Sequence, residues 1–306
     1  IDEQHRFGVD QRARLFRKGA PYRPHGLVLS ATPIPRTLAL TAYGDLAVST
    51  IRERPPGRIP VITKLVRGKR DTAYAEIRTQ LAAGHQAFFI YPLVDDSEAE
   101  GFEDLKSAIA EAERLAREVF PEYPVALLHG RMSSEEKDAV MARFKSGLAR
   151  VLVSTTVVEV GIDIPNATVM VVEHADRFGL SQLHQLRGRV GRGTAQSYFF
   201  LFSHPRTGET TTQRLEVLEK TNDGFEVAEA DLRIRGPGEF TGTRQAGSMA
   251  FKVGDIVRDR EWLLKARDDA ESIIRADPEL QSPENASLKT YYDREGGKQF
   301  ERLTTS

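Results

Sequence analysis

Between residues 61 and 204, short apolar segments alternate with longer amphipathic ones. The short segments have the length of β-strands, and the longer ones repeat apolar residues every three or four positions, as a helix with one buried face does. Alternating strands and helices predict a parallel, doubly wound α/β sheet, whose strand-to-helix loops form the ligand-binding edge. The predicted strands cover residues 86–91, 125–128, 151–154, 168–172 and 197–202.

Proline and glycine mark a boundary before this sheet. Residues 54–60, Arg-Pro-Pro-Gly-Arg-Ile-Pro, are typical of a stiff linker between domains. We therefore expect the carboxyl-terminal part of a first α/β domain in residues 1–58 and a complete second domain in residues 59–206. Residues 207–306 should form a helical extension.

The extension carries helical periodicity in three places. Leu215 and Leu218 mark one helix, and a second should begin near Asp223, with Phe225, Ala228 and Leu232 on one face. The two helices predict a hairpin. A further helix is predicted over residues 260–275. Its residues expected to be buried are Trp262, Leu263, Ala266, Ala270, Ile273 and Ile274.

The composition excludes several kinds of site. The chain has no cysteine, which excludes disulfides and thiolate metal ligands, and its seven histidines are scattered. Its apolar runs are too short to span a bilayer, so we expect no membrane contact and a cytoplasmic location. The net charge of −1 hides two basic windows without acids, at residues 11–44 and 177–208. These windows predict local polyanion binding, although solubility alone could explain them.

Residues 185–192, Gln-Leu-Arg-Gly-Arg-Val-Gly-Arg, place one amide and three guanidinium groups on a short helix broken by glycine. Arginine keeps its charge in proteins, and its donors match the oxygens of a phosphoryl group. Arginines clustered at a helix end therefore suit the charge that develops on a transferring phosphate. We interpret the segment as an arginine finger, with a solvated basic helix end as the alternative.

Other candidate ligand residues follow predicted strands. Asp2 and Glu3 form a pair in which one carboxylate can hold Mg²⁺ while the other orients a water molecule. Thr155 and Thr156 can bind phosphate at a helix amino terminus, or simply cap that helix. Asp163 could accept a hydrogen bond from a ribose hydroxyl. The remaining candidates are Ser30, Ala31, Thr32, Arg36, His129, Gly130 and Gly161.

Four segments occur in a specific order: Asp-Glu-Gln-His, Ser-Ala-Thr, Thr-Thr-x-x-Glu-x-Gly-x-Asp and Gln-x-x-Gly-Arg-x-Gly-Arg. This order resembles motifs II, III, V and VI of the superfamily 2 helicases. Residues 2–9, 30–38 and 235–245 are more specifically similar to the carboxyl-terminal half of the RecG family of branched-DNA helicases. Residues 91–98 follow the same family. The Mfd family of transcription-repair coupling translocases is similar in its motor and its hairpin, but the context of Pro237 favours RecG.

The resemblance implies a complete second RecA-like domain and a partial first one, followed by a helical-hairpin translocation motif. It implies an ATP- and Mg²⁺-dependent DNA helicase that translocates on double-stranded DNA at replication forks and Holliday junctions, in recombination and repair. The implied partners are branched DNA and, as a candidate, single-stranded DNA-binding protein. An upstream wedge domain and the rest of the first motor domain should belong to the same protein.

The resemblance also implies a role for each matching residue. The implied catalytic residues are Asp2, Glu3, Gln185, Arg189 and Arg192, with Asp2 as the Mg²⁺ ligand. Gly161 and Asp163 would lie near ATP. The residues that would couple hydrolysis to movement are Ser30, Ala31, Thr32, Arg233, Arg235 and Gln245. Those that would contact DNA are Arg36, His129, Gly130, Thr155 and Thr156.

Two alternatives stay open. The chain could belong to an Mfd-like translocase, or it could be a nucleic-acid-binding scaffold that has lost its ATPase. Intact Asp2, Glu3, Arg189 and Arg192 argue against a scaffold, which needs none of them. The chain contains no Gly-rich phosphate loop, and it begins at Ile1 without a strand before the Asp-Glu pair. We therefore expect a fragment of a longer protein that does not hydrolyse ATP alone.

Overall fold

The computed structural model describes residues 25–27, 29, 49–51, 53, 57–92, 100–155, 164–235 and 259–296, with only the backbone at 100–104, 235, 260, 295 and 296. The chain divides into two compact units. One is Ile51–Ala230, and the other combines Ile1–Thr50 with Asp231–Ser306. No described helix is long and apolar enough to cross a membrane.

The first unit contains a six-stranded sheet in which every pairing is parallel. The strand order is β1-β6-β5-β2-β4-β3. The strands are β1 (Ile62–Arg67), β2 (Gln86–Tyr91), β3 (Val125–Leu128), β4 (Val151–Thr155), β5 (Ala167–Val172) and β6 (Tyr198–Ser203).

All five predicted strands are confirmed, with ends that differ by at most one residue. Strand β1 was not predicted from the sequence. This strand lies at the sheet edge and contains Lys64 and Arg67, so it lacks the continuous apolar run of a central strand. Its exposed backbone is partly covered by a side chain, because the Leu65 N–H donates to Glu219 Oε1 at 2.8 Å.

The helices of this unit follow the predicted alternation. They are α1 (Asp71–Ala82), α2 (Glu100–Arg114) with a π-helical continuation (Leu115–Val119), α3 (Ser134–Lys145), a 3-10 turn (Ala175–Arg177), α4 (Leu180–Arg187) and α5 (Glu209–Lys220). The next helix, α6 (Gly224–Arg235), runs across the division between the units. The second unit contains α7 (Arg260–Ala276), a 3-10 turn (Pro283–Asn285), α8 (Ala286–Tyr291) and a final π-helical turn (Tyr292–Gly296).

The sheet carries an apolar core on each face. Phe89 and Phe200 point to the face with Ile77 and Leu115, which belong to α1 and to the π-helical continuation of α2. The opposite face packs residues of α3, α4 and α5. Its large buried residues include Phe88, Phe144, Met170, Leu183 and Leu215. Strands β2 and β5 are buried along their whole length, as strands covered by helices on both sides must be. The doubly wound α/β fold is therefore confirmed.

Local signals locate two helix starts. At α3 the Ser133 Oγ accepts from the Glu136 N–H at 3.2 Å, and Glu136 Oε2 accepts from the Ser133 N–H at 2.7 Å. This reciprocal capping box stabilises the first turn. At α6 the Asp223 Oδ1 accepts from the Phe225 N–H at 2.7 Å. An acceptor side chain that precedes a helix satisfies an amide that has no partner inside the helix.

The helical extension differs from expectation in what it buries. Leu215 and Leu218 of α5 are buried in the core of the first unit. Helix α7 covers the predicted segment, but Trp262 is 71% exposed and Ile274 is 49% exposed. Ala266 and Ala270 are also exposed, and Leu263 and Ile273 are half-buried. The expectation of burial was wrong for the exposed residues, because apolar periodicity marks a face only, and no described element covers Trp262.

Candidate functional site

Helix α4 holds the first part of the predicted arginine finger in a fixed orientation. It begins after Gly179, whose N–H donates to Gln182 Oε1 at 3.1 Å. Its apolar stripe, Leu180, Leu183 and Leu186, is buried in the core together with Val190, which follows the helix. The three predicted finger residues lie away from that stripe: Gln185 and Arg189 are half-buried and Arg192 is exposed. The core thus determines which side chains of the segment face outward.

Arg187 is a functional candidate that was not predicted from the sequence. It is 3% exposed, and its Nη1 donates to the carbonyl oxygens of Leu218 and Thr221, each at 2.8 Å, and to Thr63 Oγ1 at 3.3 Å. Its Nη2 lies 2.9 Å from His184 Nδ1. The guanidinium therefore joins α4 to β1 and to the carboxyl end of α5. The signal was available, because Arg187 follows Leu183 by four positions and so lies on the buried stripe.

The glycines after α4 allow the chain to pass close to β1. Gly191 has φ +73°, and a Cβ atom there would lie 2.8 Å from Val61 Cγ2. Its carbonyl oxygen accepts from Arg58 Nε at 3.1 Å. A Cβ atom at Gly193 would lie 2.7 Å from the Pro165 carbonyl oxygen. Only glycine fits both positions, so the segment that carries Arg189 and Arg192 is packed tightly against its surroundings.

The carboxyl ends of four neighbouring strands bring polar side chains into one row. The register of β3 with β4 brings His129 beside Thr155. On the other side of β4, Tyr91 at the end of β2 pairs with Thr155. Glu173 comes next, because its N–H donates to the Ile90 carbonyl oxygen at 2.9 Å and extends the β5–β2 ladder. These residues, far apart in sequence, thus meet at the carboxyl ends of the strands, where the sequence predicts ligand binding.

Two predicted DNA contacts, His129 and Gly130, lie at the surface end of this row. His129 is half-buried and Gly130 is exposed, with its carbonyl oxygen bound by Lys137 Nζ at 2.9 Å. Thr155 is fully buried. Within the described residues, neither His129 Nδ1 nor Thr155 Oγ1 has a hydrogen-bond partner. Both atoms are buried, and the contact of these residues with DNA stays a prediction.

A cleft of about 400 Å³ lies beside the middle of the row, with Arg70, Tyr91, Glu111 and Glu173 among its lining residues. Arg70 Nη1 lies 2.8 Å from Glu173 Oε1, whose side chain is 2% exposed. Burial raises the pKa of Glu173 to about 7; the positive charge of Arg70 opposes this rise, and the nearby Glu111 adds to it. Burial likewise raises the pKa of the Tyr91 hydroxyl. Acidic side chains in a cleft whose pKa values are strongly shifted are candidates for functional residues.

Many predicted site residues lie outside what the structure describes. They are Asp2, Glu3, Ser30, Ala31, Thr32, Arg36, Thr156, Gly161, Asp163 and Gln245. Arg233 is exposed on α6, and Arg235 is the last residue of that helix. The predicted Mg²⁺ ligand, nucleotide contacts and coupling residues therefore stay predictions.

Comparison with known proteins connects these features with a family. Residues 72–194 match the helicase conserved C-terminal domain, and residues 221–294 match the family described as ATP-dependent DNA helicase RecG, domain 3, C-terminal. The ATP-dependent DNA helicase RecG of Synechocystis sp. is 51% identical over 290 residues, which cover 94% of this chain and 34% of that protein. The RecG of Bacillus subtilis is 45% identical over 304 residues, which cover 99% of this chain and 44% of that protein.

A solved structure described as RecG bound to a three-way DNA junction has 48% identity and a TM-score of 0.63, and the match covers 86% of this chain and 33% of that one. The chain spans only 34% to 44% of the length of the two relatives named above. The matches include both the α/β domain that carries the finger segment and the helical extension after it. The chain therefore belongs to the RecG family of ATP-dependent DNA helicases.

Proposed function

We propose that the chain is the carboxyl-terminal motor portion of an ATP-dependent helicase that translocates on double-stranded DNA and remodels stalled forks and Holliday junctions. The observation that carries the proposal is how residues 185–192, the finger segment, divide into buried and outward-facing side chains. Arg187 is buried and anchors α4, whereas Gln185, Arg189 and Arg192 lie off the buried stripe. A solvated helix end would need neither the buried arginine nor the two glycine contacts. Family relatives are named as DNA helicases, and one was solved with a branched DNA.

In this proposal Gln185, Arg189 and Arg192 act on ATP. Their amide and guanidinium groups would bind the γ-phosphate and stabilise the charge that develops during transfer. Asp2 would hold Mg²⁺, and Glu3 would orient the attacking water. When bound, Mg²⁺ neutralises phosphate charge. Gly161 and Asp163 would contact the nucleotide. Because a finger acts only when the cleft around ATP closes, hydrolysis would report domain closure.

We place DNA at the row of strand ends. The turn at His129 and Gly130 lies at the surface and presents a ring nitrogen and backbone to a phosphate, with Thr155 behind it. Arg36 and Thr156 would extend the same contact. Phosphate contacts would dominate the affinity, so binding should weaken steeply with salt. Single-stranded DNA-binding protein remains a candidate partner. A motor that acts on replication forks would work in the cytoplasm.

Movement would be transmitted through α5 and the segment after it. Arg187 joins α4, the finger helix, to the carboxyl end of α5. A displacement of the finger helix would therefore be passed to the start of the translocation motif. Arg233, Arg235 and Gln245 would continue this connection on one side, and Ser30, Ala31 and Thr32 on the other. A wedge domain and the remainder of the first motor domain would complete the protein.

The test is ATP hydrolysis by the full-length protein on a model fork and on a linear duplex of equal length. Arg192→Ala should lower the fork-stimulated rate by about 1,000-fold or more, as loss of an arginine finger does. Arg206→Ala, an exposed arginine of the same basic window, should leave the rate unchanged. Equal stimulation by linear duplex would instead favour an Mfd-like translocase. No hydrolysis on either DNA would favour a scaffold.

A further inference from the structure

Glu173 lies where the chain changes direction between the sheet and the finger helix. Its N–H still belongs to the β5–β2 ladder, through the Ile90 carbonyl oxygen at 2.9 Å. The next residue, His174, has φ 49° and ψ 47°, a left-handed conformation that is uncommon for a residue other than glycine. A 3-10 turn and α4 follow. The course of the chain into α4 is therefore decided at residues 173 and 174.

The Glu173 side chain is held by one arginine from a different part of the fold. Arg70 precedes α1, and its Nη1 lies 2.8 Å from Glu173 Oε1. The same guanidinium lies over the Phe202 ring at the end of β6, 4.8 Å from the ring centre. A carboxylate that is 2% exposed is strongly destabilising without a partner. Arg70 thus makes it possible for Glu173 to carry a charge at this position.

The neighbouring carboxylate, Glu111, is bound by a different arginine, so Glu173 is the carboxylate that pairs with Arg70. Glu111 of α2 also faces the cleft, but Arg114 Nε binds its Oε2 at 2.9 Å. Tyr91 of β2 lines the same cleft, and its hydroxyl donates to Glu111 Oε2 at 3.4 Å. Tyr74 of α1 binds Arg114 Nη2 at 3.0 Å. His174 and Arg177, which follow Glu173, line the same cleft.

We propose that Arg70 and Glu173 are positioning residues for the finger helix: their ion pair holds the turn at His174 and so sets the direction of α4. This inference rests on the proposed function, in which α4 and the segment directly after it present Gln185 and Arg189 to ATP. The pair also lies one strand from Thr155, in the row that runs from the proposed DNA contacts to the finger helix. An ion pair that lines a cleft at the carboxyl ends of the strands is placed to orient a catalytic element rather than to fill the core.

The test uses the full-length protein with Glu173→Gln and Arg70→Gln. Each should lower kcat for DNA-stimulated ATP hydrolysis by about tenfold, since small misplacements of a catalytic group can cost up to about 100-fold. KM for ATP and Kd for fork DNA should stay within about twofold, because neither residue binds a ligand in this proposal. The double variant should be no slower than the slower single variant. Arg70→Lys, which keeps the charge, should recover most of kcat.

A pH profile separates positioning from a purely structural role. With the pKa of Glu173 near 7, kcat of the wild type should rise between pH 6 and 8 as the ion pair forms. Glu173→Gln should lose this rise. His174→Asn, which tolerates the left-handed backbone and does not titrate, should keep it. A rise that is lost with His174→Asn and kept with Glu173→Gln would overturn the inference.

The matched control is Glu122→Gln, which removes the exposed carboxylate partner of Arg78 on α1 and should change nothing. Folded Glu173→Gln and Arg70→Gln variants with wild-type kcat would overturn the inference. Should Glu173→Gln fail to fold, Arg70→Gln against Arg70→Lys decides the question in its place. If Arg192→Ala hydrolyses ATP normally, the proposed function fails. If Arg192→Ala is inactive but both pair variants are normal, only the positioning role fails.

Discussion

Arg187 Nη1 donates to the Leu218 carbonyl oxygen at 2.8 Å, and it is this contact, with that to Thr221, that joins the finger helix to the carboxyl end of α5. A helix end leaves its last carbonyl groups without partners, and a positive side chain satisfies them while complementing the helix dipole. One buried guanidinium therefore serves as the carboxyl-terminal cap of α5 and as the anchor of α4.

Arg187→Ala should destabilise the chain. Removal leaves the carbonyl oxygens of Leu218 and Thr221 without this donor, and hydrogen bonds to charged groups contribute about 1.5–3 kcal/mol each. We expect the free energy of unfolding, measured in urea, to fall by about 3 kcal/mol. The free energy of unfolding of Arg187→Lys should lie between those of the wild type and Arg187→Ala, since one ammonium cannot reproduce the spread of the guanidinium donors. An unchanged midpoint for Arg187→Ala would refute the anchor; Arg206→Ala is the exposed control.

Stability should depend on pH through Glu173. Its pKa is about 7 in the folded protein against an ordinary value of 4.5, so the folded state retains a proton that the unfolded state loses between these values. The free energy of unfolding should therefore fall as pH rises from 4.5 to 7 and level off above 7. At about 1.4 kcal/mol for each unit of difference in pKa, the fall amounts to roughly 3 kcal/mol at most.

The measurement is urea unfolding at several pH values for the wild type and Glu173→Gln. As pH rises from 4.5 to 7, Glu173→Gln should become progressively more stable relative to the wild type. Parallel profiles would show that Glu173 does not titrate there. The expected rise of kcat with pH runs against the stability profile, which is the pattern of a charge retained for function rather than for stability.

Gly191→Ala should destabilise the chain more than Gly147→Ala does. Both glycines have φ near +75°, but an added Cβ atom meets Val61 Cγ2 at 2.8 Å at Gly191 and nothing within 4 Å at Gly147. Backbone strain of about 1 kcal/mol or more is common to both, and the clash should add about 1–2 kcal/mol at Gly191. In a double variant, Val61→Ala should remove the part of the destabilisation that comes from the clash with Val61. Thermal unfolding of the single and double variants measures this recovery. Equal losses at the two glycines would mean that the turn adjusts freely.

His129→Ala should weaken the binding of fork DNA by the full-length protein by about tenfold or more, the effect of losing one hydrogen bond to a charged phosphate. His85→Ala is the control, because His85 lies before β2, at the opposite edge of the sheet. Fluorescence anisotropy at several salt concentrations should show steep salt dependence for all three proteins. If His85→Ala weakens binding as much as His129→Ala does, DNA does not bind at the predicted edge.

The parts of the fold that depend on local pattern were predictable. The central strands are continuous apolar runs, and the capping box at Ser133 and Glu136 is contained within four residues. The order of the motifs along the chain was sufficient to indicate the family. Gln185, Arg189 and Arg192 were singled out because each residue type has chemistry suited to a phosphate. Edge strand β1 was missed because, with Lys64 and Arg67, its burial on one face leaves little apolar signal.

The sequence by itself determined the doubly wound sheet and the family, because strand length, helical period and motif order are properties of neighbouring residues; the role of the finger residues stays a prediction. Only the tertiary structure decided that Arg187 is buried against α5, that Trp262 is exposed, and that Arg70 meets Glu173. Arg70 and Glu173 are 103 residues apart, and their meeting depends on the order in which the strands assemble. Periodicity marks the buried face of a helix, but only the assembled sheet determines which residue that face meets.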